Sequence, residues 1–158
     1  MAEGYPALVR KLGHTYWFPR LGRALVPVDR FLQRTSKGRL TVLGPQVLPQ
    51  LLLTTRGRQT GQPRTVALLY ARHGDDYLVV ASNWGQQHHP SWSANLLAEP
   101  KAQIEVDGRT TAVTARLTEG AERQDRWAAV TKVWPAYDTY EARSGRTLRV
   151  FTLEATRG

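Results

Sequence analysis

Cysteine is absent from this chain of 158 residues, which excludes disulfides, thiolate nucleophiles, thiolate metal ligands and cysteine-ligated clusters together. Redox chemistry would therefore need a bound cofactor. Long apolar runs are missing too. No stretch of about 18 hydrophobic residues occurs, and the first residues lack the charged start, apolar stretch and small-residue cleavage site of a secretion signal. The expectation is a cytoplasmic chain that neither spans a membrane nor is exported. Acidic residues are scarce, 13 against 22 Lys and Arg, leaving a net charge of +9 and a pI near 10.5. That imbalance points to an anionic partner: nucleic acid, a lipid headgroup or a phosphorylated cofactor.

Several catalytic patterns are missing as well. No serine sits in a nucleophile elbow, no paired carboxylates suggest glycoside hydrolysis, and no recognition helix or RNA-binding motif supports nucleic acid as the partner. Adjacent His88 and His89 do not make a metal site, because chain neighbours rarely point at one ion and no third ligand is close in sequence. A convincing axial ligand for haem is lacking too.

The length, with 41% hydrophobic residues, suits one domain with a single core. Residues 1–34 read as a basic amphipathic extension of the body at 35–158. From Met1 to Arg39 eight basic residues face two acidic ones, so +6 of the +9 lies there. Leu21, Ala24, Leu25, Val28, Phe31 and Leu32 follow a helical spacing, with Pro27 starting or kinking the helix. Such a helix suits the anionic interface on the inner face of the plasma membrane. Docking on the core or on the partner in a homodimer suits it equally.

Beyond Pro49 short apolar runs alternate with turn residues, which predicts strands at Gln50 to Thr55, Arg64 to Ala71, Tyr77 to Ser82, Ala102 to Val106, Thr110 to Thr118 and Leu148 to Glu154. The turns at Arg56 to Pro63, His73 to Asp76 and Asp107-Gly108 imply antiparallel pairing. Helices are predicted at Ser91 to Ala98, Glu119 to Val133 and Tyr137 to Ser144, the last ended by Gly145. An α+β, barrel-like domain follows.

Three patches carry possible chemistry. Gly57 to Arg64 (GRQTGQPR) offers two glycines, the Thr60 hydroxyl, Arg58 and Arg64, a set that can hold an anion, although a solvated hairpin has the same composition. Its glycine spacing fits neither a Walker loop nor a Rossmann fingerprint. The second patch runs from Ala81 through Ser82, Asn83 and Trp84 to Trp92 and Asn95, supplying amides, a hydroxyl and flat indoles for a ring system, or core residues and helix caps. Trp134 to Tyr140 forms the third, where Tyr137 and Tyr140 at i, i+3 can orient a carbonyl and donate a proton, or simply pack.

The segments LLLTTRGRQTGQPRTVALLY, LVVASNWGQQHHPSWSANLLAEP and VWPAYDTYEARSGRTLRVF, in that order and spacing, resemble the deazaflavin-dependent nitroreductases of actinobacteria, a branch of the split β-barrel flavin-reductase-like proteins. The resemblance implies a six-stranded antiparallel split β-barrel with flanking helices, binding coenzyme F420 (8-hydroxy-5-deazaflavin), with FMN as the alternative. Carried over by position, Arg58, Thr60, Gly61 and Arg64 would hold the phosphate or tail. Ala81, Ser82 and Asn83 would line the coenzyme, while Trp92 and Asn95 would close the pocket. Trp134, Tyr137 and Tyr140 would face the substrate, with the two tyrosines as catalytic candidates. The implied reaction passes a hydride from the reduced coenzyme to a small planar acceptor such as a quinone, nitroaromatic or activated enone. A carrier that binds the deazaflavin, or another flat anion, without turnover is the competing reading. Gln59 and Asn83 stand where many relatives have lysine, and Trp134 where nitroreductases that activate bicyclic drugs have tyrosine, so that last activity is not expected.

Overall fold

Along Gln50–Arg56 side chains alternate between two surfaces: Leu51, Leu53 and Thr55 are buried, while Gln50, Leu52 and Thr54 are only partly covered. In a computed structural model the described residues are 48–156, together with 10–11, 14–17, 20–21, 24, 27, 40–41 and 44–45. A short ribbon pairs β1 (Leu40–Thr41) with β2 (Gly44–Pro45). The main sheet holds β3 (Gln50–Arg56), β4 (Pro63–Leu69), β5 (Ala71–His73), β6 (Asp76–Val80), β7 (Lys101–Val106), β8 (Arg109–Thr118) and β9 (Val150–Ala155). Every pairing is antiparallel and the order is β4-β3-β7-β8-β9-β6-β5. In the described stretch 48–156 three α-helices flank it: α1 (Ser91–Ala98), α2 (Gly120–Val133) and α3 (Ala136–Ser144).

The expected strand from Arg64 to Ala71 is divided at Tyr70, whose N–H donates to Pro49 O at 3.1 Å. β4 pairs with β3 at one edge of the sheet and β5 with β6 at the other. One stretch of chain thus serves both edges and curls the sheet into a split barrel, so seven paired segments stand where six strands were expected. The hairpin at Asp107-Gly108 forms as its sequence demands, with φ of 51° and 77° and Val106 opposite Arg109.

Burial explains the apolar runs that lack alternation. Leu78 and Val80 of β6 enter a cluster with Val130, Trp134, Tyr137 and Tyr140 beneath α2 and α3. Val79 and Ala81 face the barrel interior with Leu51, Leu53, Trp92, Leu96, Ile104 and Phe151. A strand covered on both faces keeps no polar side. On β9, the buried Thr152 is satisfied by Thr118, hydroxyl to hydroxyl at 2.9 Å.

Of the N-terminal stripe, Leu21 and Ala24 are helical, as is Pro27, while Leu25, Val28, Phe31 and Leu32 lie outside the described residues. Residues 14–16 rest on α3. His14 Nδ1 meets Thr139 Oγ1 at 2.5 Å, Arg143 donates to His14 O and to Thr15 O, and its guanidinium lies 3.8 Å from the Tyr16 ring centroid.

Candidate active site

The turn between β3 and β4 is closed by its own backbone. Gly57 N–H donates to Gln62 O at 2.8 Å and Gly61 N–H to Gly57 O at 2.7 Å. Gly61 has a φ of +69°, which glycine adopts without steric cost. A Cβ on Gly57 would lie 2.8 Å from Thr60 Oγ1, so that site needs glycine for room. Thr60 Oγ1 accepts from Gln62 N–H at 3.2 Å and from Arg64 Nη2 at 3.5 Å.

Asn95 fastens this turn to α1. Its Oδ1 accepts from the Arg58 N–H at 3.2 Å and from Arg58 Nη1 at 3.0 Å, while its Nδ2 donates to the buried Thr55 Oγ1 at 3.1 Å. Arg58 Nη1 also reaches Ser91 O at 3.4 Å. Between turn, β4 and α1 lies a groove of about 580 Å³ lined by Gly57, Arg58, Gln59, Thr60, Pro63, Arg64, Thr65, Val66, Ser91, Trp92 and Asn95. Among the described residues neither Arg58 nor Arg64 forms an ion pair. Two exposed guanidinium groups on a glycine-bearing turn, beside an indole and Val66, suit a ligand with an anionic end and a flat apolar end.

The structure joins Arg58, Thr60, Arg64, Trp92 and Asn95 around that groove and keeps Gly61 in its turn. Ala81, Ser82, Asn83, Trp134, Tyr137 and Tyr140 are not among the groove's lining residues. Ala81 is fully buried because the chain continues from β6 into the barrel core. The Asn83 side chain is spent on its own loop, Nδ2 donating to His88 O at 3.0 Å and Oδ1 accepting from Gln86 Nε2 at 3.2 Å. Trp92 is 7% exposed, its ring 5.8 Å from that of Phe151, and forms floor rather than lid.

Trp134, Tyr137 and Tyr140 are 4%, 5% and 1% exposed, within the cluster under α2 and α3. Burial raises the Tyr137 phenol well above its ordinary value of 10.0, with Tyr140 adding to the rise. Burial also pushes Tyr140 up to about 12, opposed by the nearby Trp134 indole N–H and by Arg143. Both phenols therefore keep their protons at neutral pH and can donate a hydrogen bond but not act as bases.

Sequence reasoning missed Thr65 and Val66 as lining residues, although alternation along β4 could have suggested them; Pro63 and Ser91 lay inside the candidate patches without an assigned role. It also missed Arg146, which reaches the Ala81 to His89 loop from beyond α3.

A sequence model described as F420H(2)-dependent quinone reductase matches residues 28–155. The chain belongs to that family. An F420H(2)-dependent quinone reductase of Mycobacterium tuberculosis H37Rv is 36% identical over 141 residues, covering 87% of this chain and 95% of the relative. A solved F420-H2 dependent reductase, FDR-A, is 34% identical with a TM-score of 0.63, over 67% of this chain and 94% of its own. A further solved structure, described as a domain-swapped dimer, is 32% identical with a TM-score of 0.64, over 81% of this chain and 99% of its own. Family membership makes coenzyme F420 the cofactor and the chain an oxidoreductase. The two exposed arginines, without ion pairs among the described residues, and the glycine-bearing turn of the groove fit such a group.

Proposed function

We propose that the groove beside Arg58 and Arg64 seats the reduced coenzyme for delivery of a hydride to a small planar acceptor, with quinones first, then nitroaromatics and activated enones. The carrying observation is the pair of arginines that form no ion pair among the described residues, on a glycine-bearing turn beside Trp92. Arg58, Thr60, Gly61 and Arg64 would hold the phosphate and acidic tail; Ser82 and Asn83, after the Ala81 strand end, would border the ring. When bound, the reduced coenzyme supplies a hydride equivalent. The protein's contribution is to fix the donor's orientation, exclude water and present a protonated phenol, Tyr137 or Tyr140, toward the acceptor's oxygen. A quinone gains one hydride and one proton to become the hydroquinone.

Replacing Arg58 and Arg64 together by alanine should weaken coenzyme binding by about tenfold or more, about 1.4 kcal/mol. Unchanged affinity in a fluorescence titration would refute the tail-site assignment. Binding of the coenzyme without turnover is the alternative to this hydride transfer. Anaerobic mixing with reduced coenzyme and menadione separates the two, since oxidation no faster than without protein leaves only the carrier. A parallel titration with FMN tests the alternative cofactor.

For residues 1–34, outside the barrel domain at 35–158, the reading is peripheral contact with an anionic membrane. Tyr16, Trp17 and Leu21 are 72%, 54% and 47% exposed, beside exposed Lys11 and Arg20. No helix among the described residues is long and apolar enough to cross a membrane. Cosedimentation of the full chain with phosphatidylglycerol vesicles, but not phosphatidylcholine vesicles, is the expected result, and loss of the difference in Trp17→Ser would locate it. A homodimer is supported by the relative solved as a domain-swapped dimer; light scattering of the purified chain decides it.

A further inference from the structure

Between β6 and α1 the chain makes a turn that ordinary residues avoid. Asn83, Trp84 and Gly85 have φ of 46°, 56° and 77°, three successive left-handed residues of which two are not glycine. Left-handed backbone costs about 1–2 kcal/mol per ordinary residue, so the surroundings must hold it. Arg146 does so from both sides. On the entry side its Nη1 donates to Ala81 O at 3.0 Å and its Nη2 to Ser82 O at 2.6 Å. On the exit side its Nε donates to Gln86 O at 2.9 Å and its Nη1 meets His89 Nδ1 at 2.9 Å. The guanidinium is partly buried, and among the described residues it forms no ion pair. Glu141, the nearby carboxylate, is bonded to Arg123 and the Leu148 N–H. A partly desolvated cation spread over three carbonyls and one imidazole is a costly way to close a loop.

The bracketed turn reaches both halves of the site. Gly85 lies against Tyr140, where a Cβ would fall 3.0 Å from Cδ1 and 3.2 Å from Cβ of the ring residue. His89 immediately precedes Pro90 and α1, whose Asn95 holds Arg58. We infer that Arg146 is a positioning residue for coenzyme binding: by clamping the left-handed Asn83–Gly85 turn it fixes the Ser82 edge, the Tyr140 contact and the start of α1 in one arrangement. It reaches the coenzyme only through these groups. The inference rests on the reading of the groove and Ser82 edge given above.

Arg146→Lys keeps the charge but cannot span four acceptors. Coenzyme titration and amide hydrogen exchange of the coenzyme-free protein give independent readouts. The expected result is binding weakened about tenfold and exchange in residues 82–89 accelerated at least tenfold, with the barrel strands protected as before. Gly85→Ala, which disturbs the same turn without touching the charge, should reproduce both effects and carries the test if Arg146→Lys does not fold. Unchanged binding and exchange would overturn the inference, as would a uniform rise in exchange across the barrel, which marks a merely structural role. If the Arg58 and Arg64 double variant binds weakly while Arg146→Lys binds normally, the inference fails and the groove stands. The opposite pattern removes the tail assignment at Arg58 and Arg64 and leaves Arg146 acting through the Ser82 edge alone.

Discussion

His89 Nδ1 faces an Arg146 donor at 2.9 Å, so the ring must accept there and carry its proton on Nε2. Desolvation, then the charges of Arg149 and Arg146, lower its pKa below the ordinary 6.5. The unfolded chain therefore binds a proton at His89 before the folded one does. Stability from this group is complete above about pH 6.5 and is lost as pH falls toward the folded value. His89→Gln should flatten the fall in melting temperature on acidification; parallel profiles for the two proteins would show that His89 is not the group responsible. The tyrosines behave oppositely, since raised phenol pKa values keep their protons throughout the neutral range. Tyr137→Phe should lower acceptor turnover by about tenfold or more while leaving coenzyme affinity nearly unchanged. Lost affinity with normal turnover at saturating coenzyme would place Tyr137 against the coenzyme instead.

At the level of elements, Asn95 is the bolt between α1 and the β3–β4 turn. Asn95→Leu would leave the Thr55 hydroxyl and the Arg58 N–H without their partner. A cost of about 1–3 kcal/mol is expected, visible as a lower denaturation midpoint together with weaker coenzyme binding. Intact binding would assign Asn95 to the fold alone. This contact also shows what could be read from the sequence and what could not. α1 follows from Pro90, Pro100 and the apolar spacing of Trp92 and Leu96, and the turn from its glycines, because such signals are local. Asn95 could be singled out as polar, but its bonds to Thr55 and Arg58 arise only when β3 and α1 meet. The same holds for the split at Tyr70, since a continuous apolar run does not reveal that its halves pair with opposite edges. Arg146 was illegible for a further reason: its acceptors are mostly backbone carbonyls, which leave no pattern of residue types. Tyr137 and Tyr140 were correctly paired, yet their burial depends on α2 closing over α3.

Across the whole molecule, charge is distributed in two places that should respond differently to salt. The first quarter carries most of the +9, whereas the groove presents Arg58 and Arg64, which pair with no carboxylate among the described residues, and Gln59, which adds no charge. At about 0.1 M salt, screening acts over roughly 10 Å, so any N-terminal charge farther than that from the groove can steer an anionic ligand but contributes little to holding it. Coenzyme affinity should therefore fall as salt rises, with a slope set by the groove. Lys11→Gln with Arg20→Gln should leave that slope unchanged and mainly slow association at low salt. The Arg58 and Arg64 alanine variant should bind more weakly at low salt and show a shallower slope, so that its deficit narrows as salt rises. Should the N-terminal pair flatten the slope while the groove pair does not, the coenzyme's charge is met by the extension, and the anionic end of the ligand must be moved out of the β3–β4 turn.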